Sequence, residues 1–240
     1  MGAFCRRRAF RYSMARMSLG REGICGGAPR SSEYVEVSES GRITDLSIHP
    51  IAAGDQLESL ELYVLSKQLL LSMVDYCAAH DVTDFSRGVL QPRLDSLKLI
   101  PYVHKGYVGR FQSVDDYYHR SMDLLDPAVR ADLFNPQRPI RTKDQSNPST
   151  YYGPSSTCTC SLVSDGCHIE GDVENSIISR GVIIEPGAKV VNSVLMQGTV
   201  VKAGASLAYV IADKSVTVNQ GRMLMGHSTY PLAIAKGSVV

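Results

Sequence analysis

Between Leu162 and Ala212 small and aliphatic residues recur at intervals of six: Val163 and Ile169, then Ile178, Ile184 and Val190. Cys167 and Val173 make a second series and Val182, Ala188, Val194 and Val200 a third, with Gly166, Gly171, Gly181, Gly187, Gly198 and Gly204 between them. A six-residue unit is too short to bury its own apolar face, so it must stack on copies of itself. The stacked solution is a parallel β-helix whose aliphatic residues line the interior in ladders. About three repeats suffice to hold such a stack, and residues 162–212 contain roughly eight. The phase slips between Ile169 and Ile178, which predicts a longer corner near Glu174-Asn175-Ser176.

The residues upstream read as α/β. Tyr34 to Val37 and Arg42 to Leu46 flank Ser38-Glu39-Ser40-Gly41, a turn by composition, and predict a hairpin. Leu60 to Leu65 predicts a strand. Ser66 then caps a helix in which Leu69, Leu70, Met73, Val74 and Cys77 recur at helical spacing. A second helical stretch is expected from Ser86 to Leu99, and a second hairpin from Tyr102 to Phe111 with Lys105-Gly106 near its tip. Ser113 and Asp116 form a capping-box-like start for a helix carrying Tyr117, Tyr118, Met122 and Leu125, and Pro127 opens the next one.

This gives four segments. Residues 1–32 form a leader with seven arginines and one acid, Glu22; with no clean apolar face it is expected to be an unstructured extension. Residues 33–134 form the α/β domain. Residues 135–161, with Pro136, Pro139, Pro148 and Pro154 among Ser, Thr and Asn, form a linker, and 162–240 the β-helix.

A net charge of +1 with 20% charged residues gives no reason to expect a nucleic-acid partner. No run approaches the roughly 18 apolar residues of a membrane span, so the chain is expected to be soluble and cytoplasmic. Six cysteines (Cys5, Cys25, Cys77, Cys158, Cys160 and Cys167) occur without a C-x-x-C pair, which reads as reduced thiols. Cys158, Cys160, Cys167 and His168 fit none of the usual structural zinc spacings, and no metal site is expected.

Several stretches together carry a family resemblance: Val114-Asp115-Asp116-Tyr117-Tyr118, Met122-Asp123-Leu124-Leu125 and Arg138-Pro139-Ile140-Arg141-Thr142 ahead of the hexapeptide repeats. Over about residues 33–240 the chain resembles glucose-1-phosphate adenylyltransferase, the ADP-glucose synthase of bacterial glycogen formation. The stretches Gly221-Arg222-Met223-Leu224-Met225-Gly226-His227, Tyr230-Pro231 and Ala235-Lys236-Gly237-Ser238-Val239-Val240 look most like its GlgD-type regulatory subunit. The fold class implied is an α/β remnant of a nucleotidyltransferase domain followed by a left-handed parallel β-helix of hexapeptide repeats. The family's Gly-rich phosphate loop has only a faint echo in Gly26-Gly27-Ala28-Pro29-Arg30, so much of the catalytic domain is expected to lie outside this chain.

The resemblance also implies degenerate positions. Catalytic members carry Glu-Lys-Pro where this chain has Ile48-His49-Pro50, which removes both charges beside the sugar phosphate. Glu61 stands where they have a glycine that lets backbone approach the sugar. Arg110 stands where their Asp helps hold Mg²⁺, and a guanidinium cannot join an all-oxygen Mg²⁺ site. No catalytic residue, cofactor or metal is therefore assigned; Mg²⁺ and ATP belong to the catalytic members.

The reading that follows is a non-catalytic regulatory or assembly subunit, partnered in a hetero-oligomer with a catalytic subunit of ADP-glucose synthase. Coil-edge residues such as Val194, Leu195 and Met196 serve that contact unless they pack in the interior. Arg138, Arg141 and Lys143 are candidates for an anionic effector, weighed against ordinary solvated cations. Two alternatives stand beside it: a hexapeptide acyltransferase using His168 or His227 as base, and a nucleotidyltransferase that still forms ADP-glucose from ATP and glucose 1-phosphate.

Overall fold

The computed structural model describes residues 33–47, 57–142 and 146–240, together with the backbone of residues 12–16. The chain divides into two compact units, Met1–Lys105 and Gly106–Val240. This boundary falls ahead of the expected linker, in keeping with the helix Val114–Met122 packing on the repeats.

In the first unit a five-stranded sheet runs in the order β3-β2-β4-β1-β5, with β1 Tyr12–Arg16, β2 Tyr34–Val37, β3 Ile43–Ser47, β4 Leu57–Val64 and β5 Ile100–Val103. The predicted hairpin is present: β2 and β3 pair antiparallel, and the Gly41 amide closes the turn onto the Ser38 carbonyl at 2.8 Å. The strand Tyr12–Arg16 corrects the expectation for the leader, since it lies between β4 and β5 with partners on both sides. The second expected hairpin does not form. β5 pairs parallel with β1, and residues 104–112 carry no strand.

Helix α1 (Lys67–His80) starts as predicted, with Ser66 Oγ accepting from the Leu69 amide at 3.3 Å, and it buries Met73. Its single fully covered side chain joins Val35, Ile43, Leu46, Val89, Leu90, Leu97 and Leu99 in the core of this unit. The helix expected over 86–99 is shorter and irregular, a π turn over Ser86–Leu90 followed by a 3-10 turn over Gln91–Arg93. Pro92 lacks the amide that a continuing α-helix would use. Arg42 Nη2 closes the connection by donating to the carbonyls of Leu94, Asp95 and Leu97 at 3.0–3.1 Å.

The second unit begins with α2 (Val114–Met122) and α3 (Pro127–Leu133). The Ser113 cap is reciprocal: Ser113 Oγ accepts from the Asp116 amide at 3.0 Å and donates to Asp116 Oδ2 at 2.9 Å. Asp126 caps α3 through the Ala128 amide at 2.8 Å, with Pro127 in the first turn.

Short strands then follow in chain order: β6 (Tyr151–Tyr152), β7 (Thr157–Thr159), β8 (Leu162–Val163), β9 (His168–Ile169), β10 (Asp172–Glu174), β11 (Ile177–Ile178), β12 (Ile183–Ile184), β13 (Lys189–Val191), β14 (Val194–Leu195), β15 (Val200–Val201), β16 (Ser206–Ala208), β17 (Val210–Ala212), β18 (Thr217–Val218), β19 (Met223–Met225) and β20 (Leu232–Ile234). They form three parallel five-stranded sheets, β6-β9-β12-β15-β18, β7-β10-β13-β16-β19 and β8-β11-β14-β17-β20. This is the architecture of a hexapeptide-repeat left-handed β-helix. It starts at Tyr151, inside the stretch expected to be linker, because Tyr151 and Tyr152 already pair with His168 and Ile169.

The coil is shorter than three hexapeptides. Asp172 pairs with Lys189, Lys189 with Ser206 and Ser206 with Met223, a step of 17 residues. The missing residue is at the corner after β7, β10, β13 and β16, where Cys160, Asn175, Asn192 and Tyr209 take positive φ of 45–54° and turn the chain at once. The corner near Glu174-Asn175-Ser176 is therefore tight, as it is in the first four coils, contrary to the longer corner expected there. The phase slip comes from its neighbour: two residues, Glu170 and Gly171, join β9 to β10, whereas four join β12 to β13. Gly171 fits because it has no side chain; a Cβ there would lie 2.3 Å from the Ala188 carbonyl oxygen and 3.0 Å from that of Glu185.

Residues read from the spacing as one ladder are successive faces of a coil. The stacked sets are Val163, Ile178, Leu195, Ala212 and Ile234 on one face, and Ile169, Ile184, Val201 and Val218 on the next. Val173, Val190, Leu207 and Leu224 line the third. Cys167 is among these interior residues, and its thiol donates to the Ser179 carbonyl at 3.1 Å.

A column of serines satisfies the tight corner. Ser176 Oγ donates to the Glu174 carbonyl at 2.7 Å and accepts from the Ser193 amide of the next coil at 3.0 Å. Ser193 Oγ repeats this toward Val191 and Val210, and Ser161 begins it toward Thr159 and Ser176. Ser176, Ser193 and Val210 are fully buried, so the bonds to the Ser193 and Val210 amides answer backbone groups that water cannot reach.

Two outcomes follow from these corners. Gly171→Ala forces a methyl into backbone oxygens that cannot move independently, and thermal unfolding is expected to show a loss of about 1–3 kcal/mol. Ser176→Ala strands the Ser193 amide, while the Glu174 carbonyl keeps its bond from the Asn192 amide at 3.1 Å, and denaturant melts should show a loss of about 1–3 kcal/mol; a melt equal to that of the parent chain would mean that the serine column carries no stability.

Candidate functional site

Three of the sequence-derived site residues, Ile48, His49 and Lys143, lie outside the described residues, as do Cys5, Cys25 and the stretch Gly26 to Arg30. The others are distributed over both units and do not make one cluster.

Glu61, in the first unit, sits at a bulge of β4, where the pairing with β1 jumps between Leu62 and Ser59. Its φ is +56°, and its amide donates to Ser59 Oγ at 3.1 Å. The backbone thus has the left-handed conformation that glycine takes without cost, but with a carboxylate side chain attached. Nearby, Tyr63 donates to Glu33 Oε2 at 3.2 Å and shares a hydrogen bond with Ser86 Oγ at 3.1 Å. Burial, opposed by the Ser86 bond, pushes its phenol up to about 12.

Arg110, in the second unit, is half-buried in the segment that leads to the Ser113 cap. This segment is held by side chains of α2, α3 and the turn between them. The Tyr107 amide donates to Asp132 Oδ2, and the Tyr107 hydroxyl donates to Asp123 Oδ2 at 2.8 Å. Arg120 Nη1 reaches the same Asp123 oxygen at 2.7 Å. Burial first, and then the Asp123 carboxylate, raise the Tyr107 phenol above its ordinary value. These carboxylates are occupied in positioning the backbone around Arg110.

Of the basic residues assigned to an effector, Arg138 reaches both the main-chain oxygen and Oδ1 of Asp132 at 3.3 Å. It therefore closes the same Tyr107–Asp132 contact from the other side. Arg141 is exposed.

Helix α2 gives the second unit its main external feature. Tyr117, Tyr118 and Met122 pack on Ile177, Val194, Met196, Tyr209 and Ile211, the outer side of the β8-β11-β14-β17-β20 face. Tyr118 is almost fully buried and donates to the Asn192 carbonyl at 2.7 Å, at the tight corner. Val194 and Met196, expected at a partner contact, are instead under α2, and Leu195 points into the coil interior. Beside the helix lies an open groove of about 660 Å³ lined by Phe111, Val114, Tyr117, Met196, Ile211 and Ala233 among others. Its walls come from a helix start and a coil face far apart in the chain, so residue spacing carries no sign of it.

The two histidines weighed as bases are engaged elsewhere. His168 Nε2 lies 3.4 Å from Glu170 Oε2, and its ring stacks on Tyr151 at 4.7 Å. His227 is in the six-residue excursion between β19 and β20 and pairs with Thr229 Oγ1 through Nδ1 at 2.9 Å. Among the described residues no group of three or more His, Cys, Asp or Glu side chains could hold a metal ion, and no helix is long and apolar enough to cross a membrane.

Fold and corners define the class, a hexapeptide-repeat protein, and residues 150–229 match the family model described as GlmU-like, C-terminal hexapeptide. Within that class the chain is similar to "Glycogen biosynthesis protein GlgD" of Bacillus subtilis (strain 168), 41% identical over 182 residues, covering 76% of this chain and 53% of that one. The protein of the same name from Geobacillus stearothermophilus is 39% identical over 132 residues, 55% of this chain and 38% of the relative. A glucose-1-phosphate adenylyltransferase of Acetivibrio thermocellus is 27% identical over 156 residues, 64% and 37% of the two chains. The chain spans about half the length, or less, of the curated relatives it matches. The resemblance read from the residues thus stands: the chain is related to the GlgD glycogen-biosynthesis proteins and, at lower identity, to the adenylyltransferases.

The seat of α2 is testable through Tyr118, whose phenol is pushed up to about 12 by burial and, secondarily, by Tyr209. A folded pKa above the unfolded value of about 10 means that the neutral phenol stabilises the fold. That contribution is complete below pH 10 and is lost as pH rises through 12. Tyr118→Phe is expected to cost about 1 kcal/mol near neutrality, from the lost bond to Asn192, and to flatten the fall of Tm between pH 10 and 12. An alkaline limb as steep as that of the parent chain would assign the sensitivity to other groups.

Proposed function

We propose that this chain acts in glycogen biosynthesis as a non-catalytic regulatory or assembly subunit of glucose-1-phosphate adenylyltransferase, working in the cytoplasm in a hetero-oligomer with a catalytic subunit. The observation that carries the reading is Arg110. In the resemblance it takes the place of a Mg²⁺-binding carboxylate, and a guanidinium repels the metal that nucleotidyl transfer in that family requires. The nearby carboxylates of Asp123 and Asp132 do not compensate, since both are committed to Tyr107, Arg120 and Arg138.

Further support comes from what the β-helix retains. Its coils are fully stacked, with α2 seated on one face, so the scaffold is kept intact although the assigned catalytic positions are degenerate. Arg138 serves this scaffold through Asp132, which leaves Arg141 and Lys143 as the cations better suited to an anionic effector. GlgD relatives carry the name of the pathway and not of the reaction, in keeping with this division of labour.

The test is co-expression with a catalytic glucose-1-phosphate adenylyltransferase subunit, followed by assay of ADP-glucose formation from ATP and glucose 1-phosphate with Mg²⁺. The chain alone is expected to form no ADP-glucose, and a co-purifying complex is expected to differ in rate or effector response from the catalytic subunit alone. Turnover by the purified chain, or the absence of any complex, would overturn the proposal.

A further inference from the structure

The β7-β10-β13-β16-β19 face ends on two methionines that its earlier rungs do not anticipate. Those rungs present Thr157, Thr159, Asp172, Glu174 and Lys189 to the outside, and then the small side chains of Ser206 and Ala208. The last rung pairs Met223 with Ser206 and Met225 with Ala208. The two methionines are 71% and 67% exposed, and Leu224 between them packs against the coil core. They therefore lie on one side of β19, the edge strand of its sheet, about 6.6–6.8 Å apart along it. Beside Ser206 and Ala208 the thioethers stand uncovered.

A histidine follows them at once. Gly226 passes so close to the previous coil that a Cβ there would lie 2.4 Å from the Tyr209 carbonyl oxygen and 2.6 Å from the Leu232 amide nitrogen. The next residue, His227, is fixed by a backbone bridge to Tyr230, with amide and carbonyl bonded at 3.0 Å in both directions. Its ring stacks on Tyr209 with centroids 6.4 Å apart, and Nδ1 lies 2.9 Å from Thr229 Oγ1. The Thr229 hydroxyl serves Nδ1 in either tautomer. In the one where Nδ1–H donates to it, Nε2 carries the lone pair, which is how a hydrogen bond at one ring nitrogen prepares the other for a metal.

We infer that Met223, Met225 and His227 form a site for a soft monovalent cation of the Cu(I) class. Thioethers are soft, uncharged ligands that select Cu(I) over hard cations, and imidazole suits copper as well. Three rotatable bonds in each methionine let both sulfurs swing onto one ion. The surrounding charge sets the valence: Arg222 directly precedes the pair, and Lys189 stands two rungs back, roughly 9–10 Å away. A neutral ligand set in a positive surround disfavours a divalent ion. Docking of an apolar partner explains the pair less well, because the same surface would press on Asp172, Glu174 and Lys189. This inference is independent of the proposed role in glycogen biosynthesis.

Silver(I), a redox-inert counterpart of Cu(I), is the probe. The full chain is prepared with isotope-labelled methionine methyl groups, and its reactive thiols are capped with a maleimide so that silver does not go to cysteine. Titration with silver nitrate, followed by NMR, is expected to shift the Met223 and Met225 methyl signals together and to saturate at one ion for the pair. Met223→Leu and Met225→Leu keep side-chain volume at exposed positions and should leave the circular-dichroism spectrum unchanged. Each is expected to lower silver affinity, read from the remaining methyl signal, by more than about tenfold, and His227→Ala by about tenfold. Methyl signals that do not move, that move at different silver concentrations, or that keep the parent affinity after a leucine change or the loss of His227 would overturn the proposal.

Discussion

In the second unit the step between coils, 17 residues from Asp172 through Met223, sets where the side chains of those coils face. Because each strand pairs with the strand one coil away, interior positions are filled only if the chain returns to the same angle at each turn. The tight corner makes that return possible with one residue fewer than three hexapeptides. It depends on two adjacent columns: residues that tolerate positive φ, Asn175 and Asn192 among them, and serines that bond the backbone of the following coil. A dry corner without these hydroxyls would leave amides unanswered, at a cost comparable to a sizeable share of a domain's net stability.

The helix seat is a consequence of the same geometry. At the fourth coil the corner residue is Tyr209 rather than asparagine, and its ring stands 6.4 Å from that of Tyr118. Tyr118 in turn bonds the Asn192 carbonyl, one coil earlier at the same corner. Helix and coil are thereby fixed at two successive turns, and the Tyr107–Asp132–Arg138 contacts hold the chain entering and leaving the helical pair. Arg110 lies within this braced segment, on a well-supported stretch of backbone.

Glu61 holds a backbone conformation that suits glycine better than glutamate. A glycine is implied there by the adenylyltransferase resemblance, and the position has a left-handed backbone at the β4 bulge, with φ +56°. The bulge is enforced by the pairing of β1 with both halves of β4, whose register jumps around it. Sheet pairing on either side outweighs the local cost of the side chain, roughly 1–2 kcal/mol.

The sequence by itself determined the β-helix, the β2–β3 hairpin, the caps at Ser66 and Ser113 and the relationship to the GlgD proteins, because each rests on local chemistry: a short apolar period, turn composition, and hydroxyls placed ahead of helices. It misjudged the register. A six-residue period places the interior residues, but a corner of two residues in place of four, as at Glu170-Gly171, changes the phase without changing the composition. Only the tertiary structure decided that Val194 and Met196 lie under α2, that Tyr12–Arg16 completes a sheet, and that Tyr102–Phe111 is no hairpin. Each of these is set by which distant segment comes to lie alongside, and residue spacing along the chain carries no record of that.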